Sequence, residues 1–252
     1  MLYVLPYGQM SLWGIFCPKC LAYAVGILWF FDFIAIYLAP DRVAKRIRST
    51  ARVGPHNNDI ISIFTGSLLG DGHAELRPDG GGTRLGFYQE ASHQEYLLWF
   101  HNLVASLGYC NPTQPIIQTR LGSGGVIRSI LRFHTYTYSS LNFLYYEWYV
   151  NGVKVVPANI SDYLTPLALA IWIMDDGGRV GYGLKLATNS FSYGDCTRLS
   201  LIIYEQYGIK SSVQSAGVPN QYIIYIWSES MPILREIVRP YIVPSMLYKL
   251  GI

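Results

Sequence analysis

Two apolar runs in this chain end the same way. Phe64 to Gly72 reads FTGSLLGDG and Leu169 to Gly177 reads LAIWIMDDG, so an acid followed by glycine closes each run, at Asp71 and Asp176, 105 residues apart. A duplication of this kind constrains the fold more than any single motif, because two copies of one unit must share an architecture and meet about a pseudo-twofold axis. The register extends past the acids. Gln89 and Asn189 each lie 19 residues before a glycine, Gly108 and Gly208. Lys154 and Lys249 follow those glycines by 46 and 41 residues, and a longer turn at Pro78 to Gly82 accounts for the extra length of the first copy. Each copy thus carries an acid, an amide and a lysine in one order.

Hydrophobic periodicity repeats as well. After each acid come turn glycines and short alternating strands, ELRP and TRLGFYQE in the first copy and VGYGLKLATN in the second. A helix follows (HQEYLLWFHNLVASLG; YGDCTRLSLIIYEQYG), then further strand (PIIQTRL with VIRSILRFHTYT; SSVQSA with QYIIYIWS). A closing helix lies near SSLNFLYYEWYV and MPILREIVRPYI. The expected fold is α+β, two pseudo-symmetric αββαββα repeats with antiparallel sheets, over residues 53–157 and 158–252. Gly66 and Gly70, at i and i+4, with Ala168 and Ala170 opposite, would let the two apolar helices pack side by side and bring Asp71 and Asp176 together. Two converging carboxylates repel unless a cation lies between them, and oxygen ligands suit Mg²⁺, with Mn²⁺ as substitute. Such an ion beside a nucleic acid can polarise a phosphodiester and activate water, and Lys154 and Lys249 would stabilise charge developing on each phosphate.

Charge distribution bears on the partner. The net charge of +3 is small, and residues 55–252 hold 13 basic and 14 acidic side chains, so total charge does not argue for nucleic acid. Locally, no Asp or Glu occurs from Tyr96 to Tyr146, where Arg120, Arg128 and Arg132 lie. A strip of that kind can hold phosphates in a near-neutral protein. Four cysteines do not make a disulfide framework here. The lone CxxC of Cys17 and Cys20 has no second pair and is read as no metal site. His56, His73, His93, His101 and His134 show no ligand spacing and are read as structural or surface groups.

The first fifty residues differ in character. Leu21 to Ala39 is apolar except for Asp32 and is followed by Arg42, Lys45, Arg46, Arg48 and Arg52. On length it is a transmembrane candidate with a positive-inside flank, although a mid-span carboxylate costs about 2.5–3.5 kcal/mol. The other reading is a leader and basic linker over residues 1–52. LPYGQMSLWG, from Leu5 to Gly14, favours the leader, because it resembles a segment of mitochondrial cytochrome b and then departs from it. That join implies an exon read into an intron, hence an intron-encoded, mitochondrial protein with residues 1–50 dispensable and no membrane association once they are lost.

FTGSLLGDG and LAIWIMDDG resemble the paired signatures of the LAGLIDADG homing endonucleases, of the single-chain, two-motif class of group I introns. YLTPLALAIWIMDDGG, LATNSFS and RPYIVPSMLYKL each fit one branch of that family, and the resemblance covers about residues 55–252. It implies a saddle-shaped monomer that lays its sheets in successive major grooves of a long asymmetric site and cuts both DNA strands, leaving short 3′ overhangs. Carried over by position, Asp71 and Asp176 are the catalytic metal ligands, joined by the backbone carbonyls of Gly70 and Asp175. Lys154 and Lys249 are the active-site lysines. Ile171 and Ser67 depart from the motif. Outward strand residues that would contact bases are Glu75, Arg77, Arg84, Arg120, Arg128, Arg132, Arg179, Lys185 and Gln214, while Gln89 and Asn189 would either line the DNA-binding site or serve strand hydrogen bonding. The implied target is the intronless cytochrome b gene near the codons for Gly8 to Gly14. The alternative within the same fold is a splicing maturase that binds its own intron RNA.

Overall fold

The computed structural model describes residues 47–78 and 81–252. The cytochrome b-like segment, the Cys17/Cys20 pair and the apolar span at 21–39 lie outside them. Among the described residues no helix is long and apolar enough to cross a membrane.

The two motif runs form helices α1 (Asn58–Leu69) and α5 (Pro166–Asp176). Each begins where a capping side chain satisfies otherwise unpaired amides. Asn57 accepts from the amides of Asp59 and Ile60, and Thr165 accepts from that of Ala168, with Pro166 fixing the first turn. Both helices are buried nearly all round rather than along one stripe, the mark of central elements. They pack against each other with Gly66 on Ala168 as expected, but Gly70 meets Asp175 rather than an alanine. A Cβ on Gly66 would lie 2.3 Å from the Ala168 carbonyl oxygen, so backbone meets backbone there.

On each side of this pair lies a four-stranded antiparallel sheet. The first has strand order β1-β2-β4-β3, from β1 (His73–Leu76), β2 (Thr83–Glu90), β3 (Gln118–Leu121) and β4 (Ile127–His134). The second repeats that order as β7-β8-β10-β9, from β7 (Gly177–Val180), β8 (Gly183–Ala187), β9 (Ser211–Ser215) and β10 (Tyr222–Ile226). Helices α2 (Gln94–Ser106) and α6 (Tyr193–Tyr207) pack on the inner faces, followed by α3 (Asn142–Trp148) and α7 (Met231–Val238). The first core is aromatic, with the Phe87 ring 4.8 Å from those of Phe100 and Phe133; the second is aliphatic, built on Leu184, Leu186, Leu199, Ile203, Ile224 and Ile226.

Three details depart from the sequence reading. Gly177 and Gly178, expected as turn residues, are the first residues of β7. The strand leaves the helix so abruptly that a Cβ on Gly177 would sit 2.4 Å from the Ile173 carbonyl oxygen, so glycine serves close approach rather than a turn. A short hairpin of β5 (Tyr149–Val150) and β6 (Val153–Lys154) follows α3, where only helix was expected. The described part of the basic segment, from residue 47 on, carries a short 3₁₀ turn at Ser49–Ala51. The Arg52 guanidinium donates to the Thr137 carbonyl at 2.8 Å and lies over the Tyr136 and Tyr138 rings, so residues 49–52 pack on the first repeat. Between the repeats, short helix α4 (Ile160–Tyr163) and its approach are tied to α6 by Arg198, which donates to the carbonyls of Val156 and Pro157 at 2.6 Å.

Candidate active site

Because α1 and α5 touch at Gly66 with Ala168 and again at Gly70 with Asp175, their C-terminal ends lie together, and the acids come with them. Asp71 is exposed just past α1, and Asp176 is the last residue of α5. Gln89, on β2, is buried at 6% exposure and donates to Asp71 Oδ2 at 2.7 Å. Both lysines arrive. Lys154 Nζ, from the β5–β6 hairpin, donates to the Gly70 and Gly72 carbonyls at 3.2 and 2.8 Å. Lys249 Nζ, from the 3₁₀ segment Pro244–Leu250, donates to the Asp175 carbonyl at 3.0 Å and to that of Met174. Each lysine therefore reaches the carbonyl just before its own repeat's acid, although one rides on a hairpin and the other on a 3₁₀ turn.

Asp175 breaks the symmetry. Gly70 stands at the matching place, and a Cβ there would be 2.5 Å from Asp175 Cβ, so the missing side chain makes the space that the Asp175 carboxyl fills. From there it crosses into the first repeat. Its Oδ1 accepts from the Tyr96 hydroxyl of α2 at 2.7 Å and from Gln89 at 3.4 Å, while Oδ2 is buried with no hydrogen-bond partner among the described residues. Sequence reasoning had no signal for Tyr96, an aromatic among apolar helix positions. His93, which the sequence suggests is a structural or surface group, brings its Nδ1 to 3.2 Å from Gln89 Oε1.

Burial and mutual repulsion govern the charges. Desolvation and the Asp71 charge raise the Asp176 carboxyl to about 7 against the attraction of both lysines, and the same causes raise Asp175 well above the usual carboxylate range. Desolvation lowers Lys154 to about 8 despite the three acids, and lowers Lys249 likewise. A folded-state carboxyl raised to about 7 keeps a proton that the unfolded chain releases near 4, so between pH 5 and 7 the Asp176 contribution to metal-free stability falls as pH rises. The lowered His56, His93 and His134 act in the opposite sense over that window, and Lys154 does so from about pH 8 upward. From pH 5 to 7 the metal-free chain is thus expected to lose melting temperature relative to Asp176→Asn, in which that contribution is absent. Mg²⁺, favouring the ionised carboxylates, should raise it more at pH 7.5 than at pH 5.5. A melting temperature that follows the same course in both proteins, with an equal Mg²⁺ increment at both pH values, would contradict this account.

The strand nominees sort by register. Residues directly opposite in a ladder share a face, as do alternate residues of one strand. Glu75 faces Arg84, Tyr88 faces Arg132 and Arg120 faces Arg128, so Glu75, Arg84, Arg120, Arg128 and Arg132 share one side of the first sheet. Arg77 lies in the turn just beyond β1, beside Arg52. In the second sheet Lys185 faces Tyr225 and Gln214 faces Ile223, again on one side. Arg179 does not join them. It falls on the opposite side of its strand from Lys185, donates to the Gly181 carbonyl and packs against Gly251.

Asn189 also departs from expectation. It is exposed in the turn after β8, whereas Gln89 points at the acids. Gln89 lies five residues before α2, and the residue five before α6 is Thr188, which is buried and donates to the Tyr222 carbonyl at 2.7 Å. Matching Asn189 to Gln89 slips the strand by one residue, which turns a side chain to the other face. The second acid accordingly has no amide counterpart of Gln89.

Comparison with known proteins agrees with this arrangement. The model of the LAGLIDADG DNA endonuclease family matches residues 61–234. The cytochrome b mRNA maturase bI2 of Saccharomyces cerevisiae is 53% identical over 206 residues, 79% of this chain and 49% of that protein. Its counterpart in Debaryomyces hansenii is 52% identical over 197 residues, 78% of this chain and 75% of that protein. The chain thus spans about half the length of the first and three quarters of the second. The fold is shared with the homing endonuclease I-WcaI, whose structure was solved bound to its DNA recognition sequence, at TM-score 0.68 and 24% identity over 77% of this chain and 86% of that one. With two motif helices ending in paired acids at the centre of a duplicated α+β fold, the chain belongs to the LAGLIDADG DNA endonuclease family.

Proposed function

We propose that the chain is a site-specific endonuclease that hydrolyses both strands of a DNA target and so promotes the mobility of its host intron, in the mitochondrial cytochrome b gene. The observation that carries this reading is the convergence of Asp71 and Asp176 at the ends of two packed helices, each with a lysine of its own repeat beside it. All the candidate ligands are oxygen atoms: the carboxylates of Asp71 and Asp176 and the carbonyls of Gly70 and Asp175. They fit a hard divalent cation, Mg²⁺ or Mn²⁺, and burial together with the Asp71 charge raises the Asp176 carboxyl, which an ion there would offset. Bound there, such an ion supplies Lewis acidity toward a phosphodiester and a more acidic water.

The chain's own groups do the rest. Gln89 holds Asp71 in place through its amide, and Tyr96 holds Asp175. Lys154 and Lys249 donate to the Gly70 and Asp175 carbonyls, which would hold such an ion, and this places each ammonium where it can meet charge developing on a phosphate. With Lys154 near 8, a small change in its surroundings switches it between proton donor and acceptor close to neutral pH. The shared outward faces of Arg84, Arg120, Arg128 and Arg132 and of Lys185 and Gln214 serve target contact, and the protein acts as a monomer.

A maturase reading has its own support, since two close relatives carry the name cytochrome b mRNA maturase. The assay that separates the two uses a plasmid bearing the joined cytochrome b exon sequence and the full chain with Mg²⁺. Linear plasmid is the expected product. Intact plasmid, together with tight binding of the intron RNA, would replace the nuclease by the maturase.

A further inference from the structure

The histidines show no ligand spacing along the sequence, but the first sheet assembles what the spacing hides. In the ladder His73 of β1 faces Gly86 of β2, and Gly86 faces His134 of β4, so two imidazoles flank a residue without a side chain. A Cβ at Gly86 would fall 2.5 Å from His73 Cε1, 2.6 Å from its Nε2 and 3.1 Å from His134 Cδ2. Glycine is what lets the rings lean over the middle strand toward each other, at 6.3 Å between centroids. Glu75, two residues along the same face, brings Oε1 to 3.1 Å from His73 Nε2. One ligand atom from each of His73, Glu75 and His134 lies within 4.8 Å of the others.

We propose that His73, Glu75 and His134 bind a borderline transition-metal ion, Zn²⁺ for example, at a site distinct from the paired acids. The donor set decides the class of ion. Two imidazoles and one carboxylate suit Zn²⁺ and its neighbours in the first transition row, whereas Mg²⁺ prefers oxygen alone. Arg84 fixes the carboxylate rather than consuming it. Its guanidinium takes Oε2 at 2.7 Å, leaving Oε1 on the imidazole side. Zn²⁺ then replaces the proton shared between His73 and Glu75. Three protein ligands leave a fourth position open, on the sheet face that also carries Arg84, Arg128 and Arg132.

The test is titration of tag-free, chelator-treated full chain with Zn²⁺ in millimolar Mg²⁺, with visible Co²⁺ spectra as a second readout. One equivalent of Zn²⁺ should bind, and an intense low-coordinate Co²⁺ spectrum should appear. Affinity should weaken by at least about tenfold in His134→Ala and in Glu75→Gln, the latter a partly exposed position where an amide keeps the shape. Asp71→Asn should leave it unchanged. Zn²⁺ binding that survives both ligand substitutions, that disappears in Asp71→Asn, or that Mg²⁺ displaces would overturn the site.

Discussion

Asp71→Asn and Asp176→Asn are each expected to lower the rate of double-strand cleavage by at least about 10²–10³-fold while target affinity stays nearly unchanged. The substitution keeps shape and removes charge, and charge is what these positions contribute. Asp71 is exposed, and among the described residues its side chain is hydrogen-bonded only through an oxygen that asparagine also offers to Gln89, so its loss does not disturb packing. The same change relieves the repulsion that pushes up Asp175 and Asp176 and removes an attraction felt by Lys154 and Lys249, so the metal-free protein should stay folded with little change in melting temperature. Loss of cleavage at a nearly unchanged melting temperature separates a chemical defect from a folding defect. Cleavage at the unmodified rate in either variant, or inactivity accompanied by a fall in melting temperature, would remove that acid from the catalytic assignment.

How much of this could be read from the chain depends on what each residue does. The duplicated Asp-Gly endings and the glycine and alanine spacing located the helix pair and its two acids, because close helix packing and charge convergence leave a mark on both copies. The lysines were legible through matched order alone, although a hairpin presents one and a 3₁₀ turn the other. Asn189 misled because counting back from a glycine ignores parity. Gln89 and Thr188 occupy the buried face, and one residue of slip exposes the side chain. Asp175 misled differently. Its backbone carbonyl was expected to hold metal and receives the Lys249 ammonium, but nothing local announced that its carboxyl crosses the axis into the gap at Gly70 and meets Tyr96. Contacts between copies carry no periodicity, and neither does the row His73, Gly86, His134, which exists only across strands.

Gly66→Ala should damage the protein out of proportion to a single methyl group. In a helix interior, alanine is ordinarily favoured over glycine by roughly 1 kcal/mol. Here the added carbon would lie 2.3 Å from the Ala168 carbonyl oxygen and 2.9 Å from its Cα, both backbone atoms of a helix buried on every side, so no rotamer change relieves the clash. Overpacking of this kind costs about 1–3 kcal/mol and occasionally more, and a backbone obstacle places this site at the upper end. Gly194→Ala in α6 is the matched control. A Cβ there meets only Ser192 Oγ, at 3.8 Å, so the helix preference acts alone and stability should hold or rise. The consequence for function follows from the same contact, since α1 and α5 can accept the methyl only by moving apart, which draws Asp71 away from Asp176. Urea unfolding should therefore show Gly66→Ala destabilised and Gly194→Ala not. Cleavage by Gly66→Ala should fall even at temperatures where it remains folded. Equal stability of the two variants would mean that the helices do not touch backbone to backbone, and the case for converging acids would lose its structural basis.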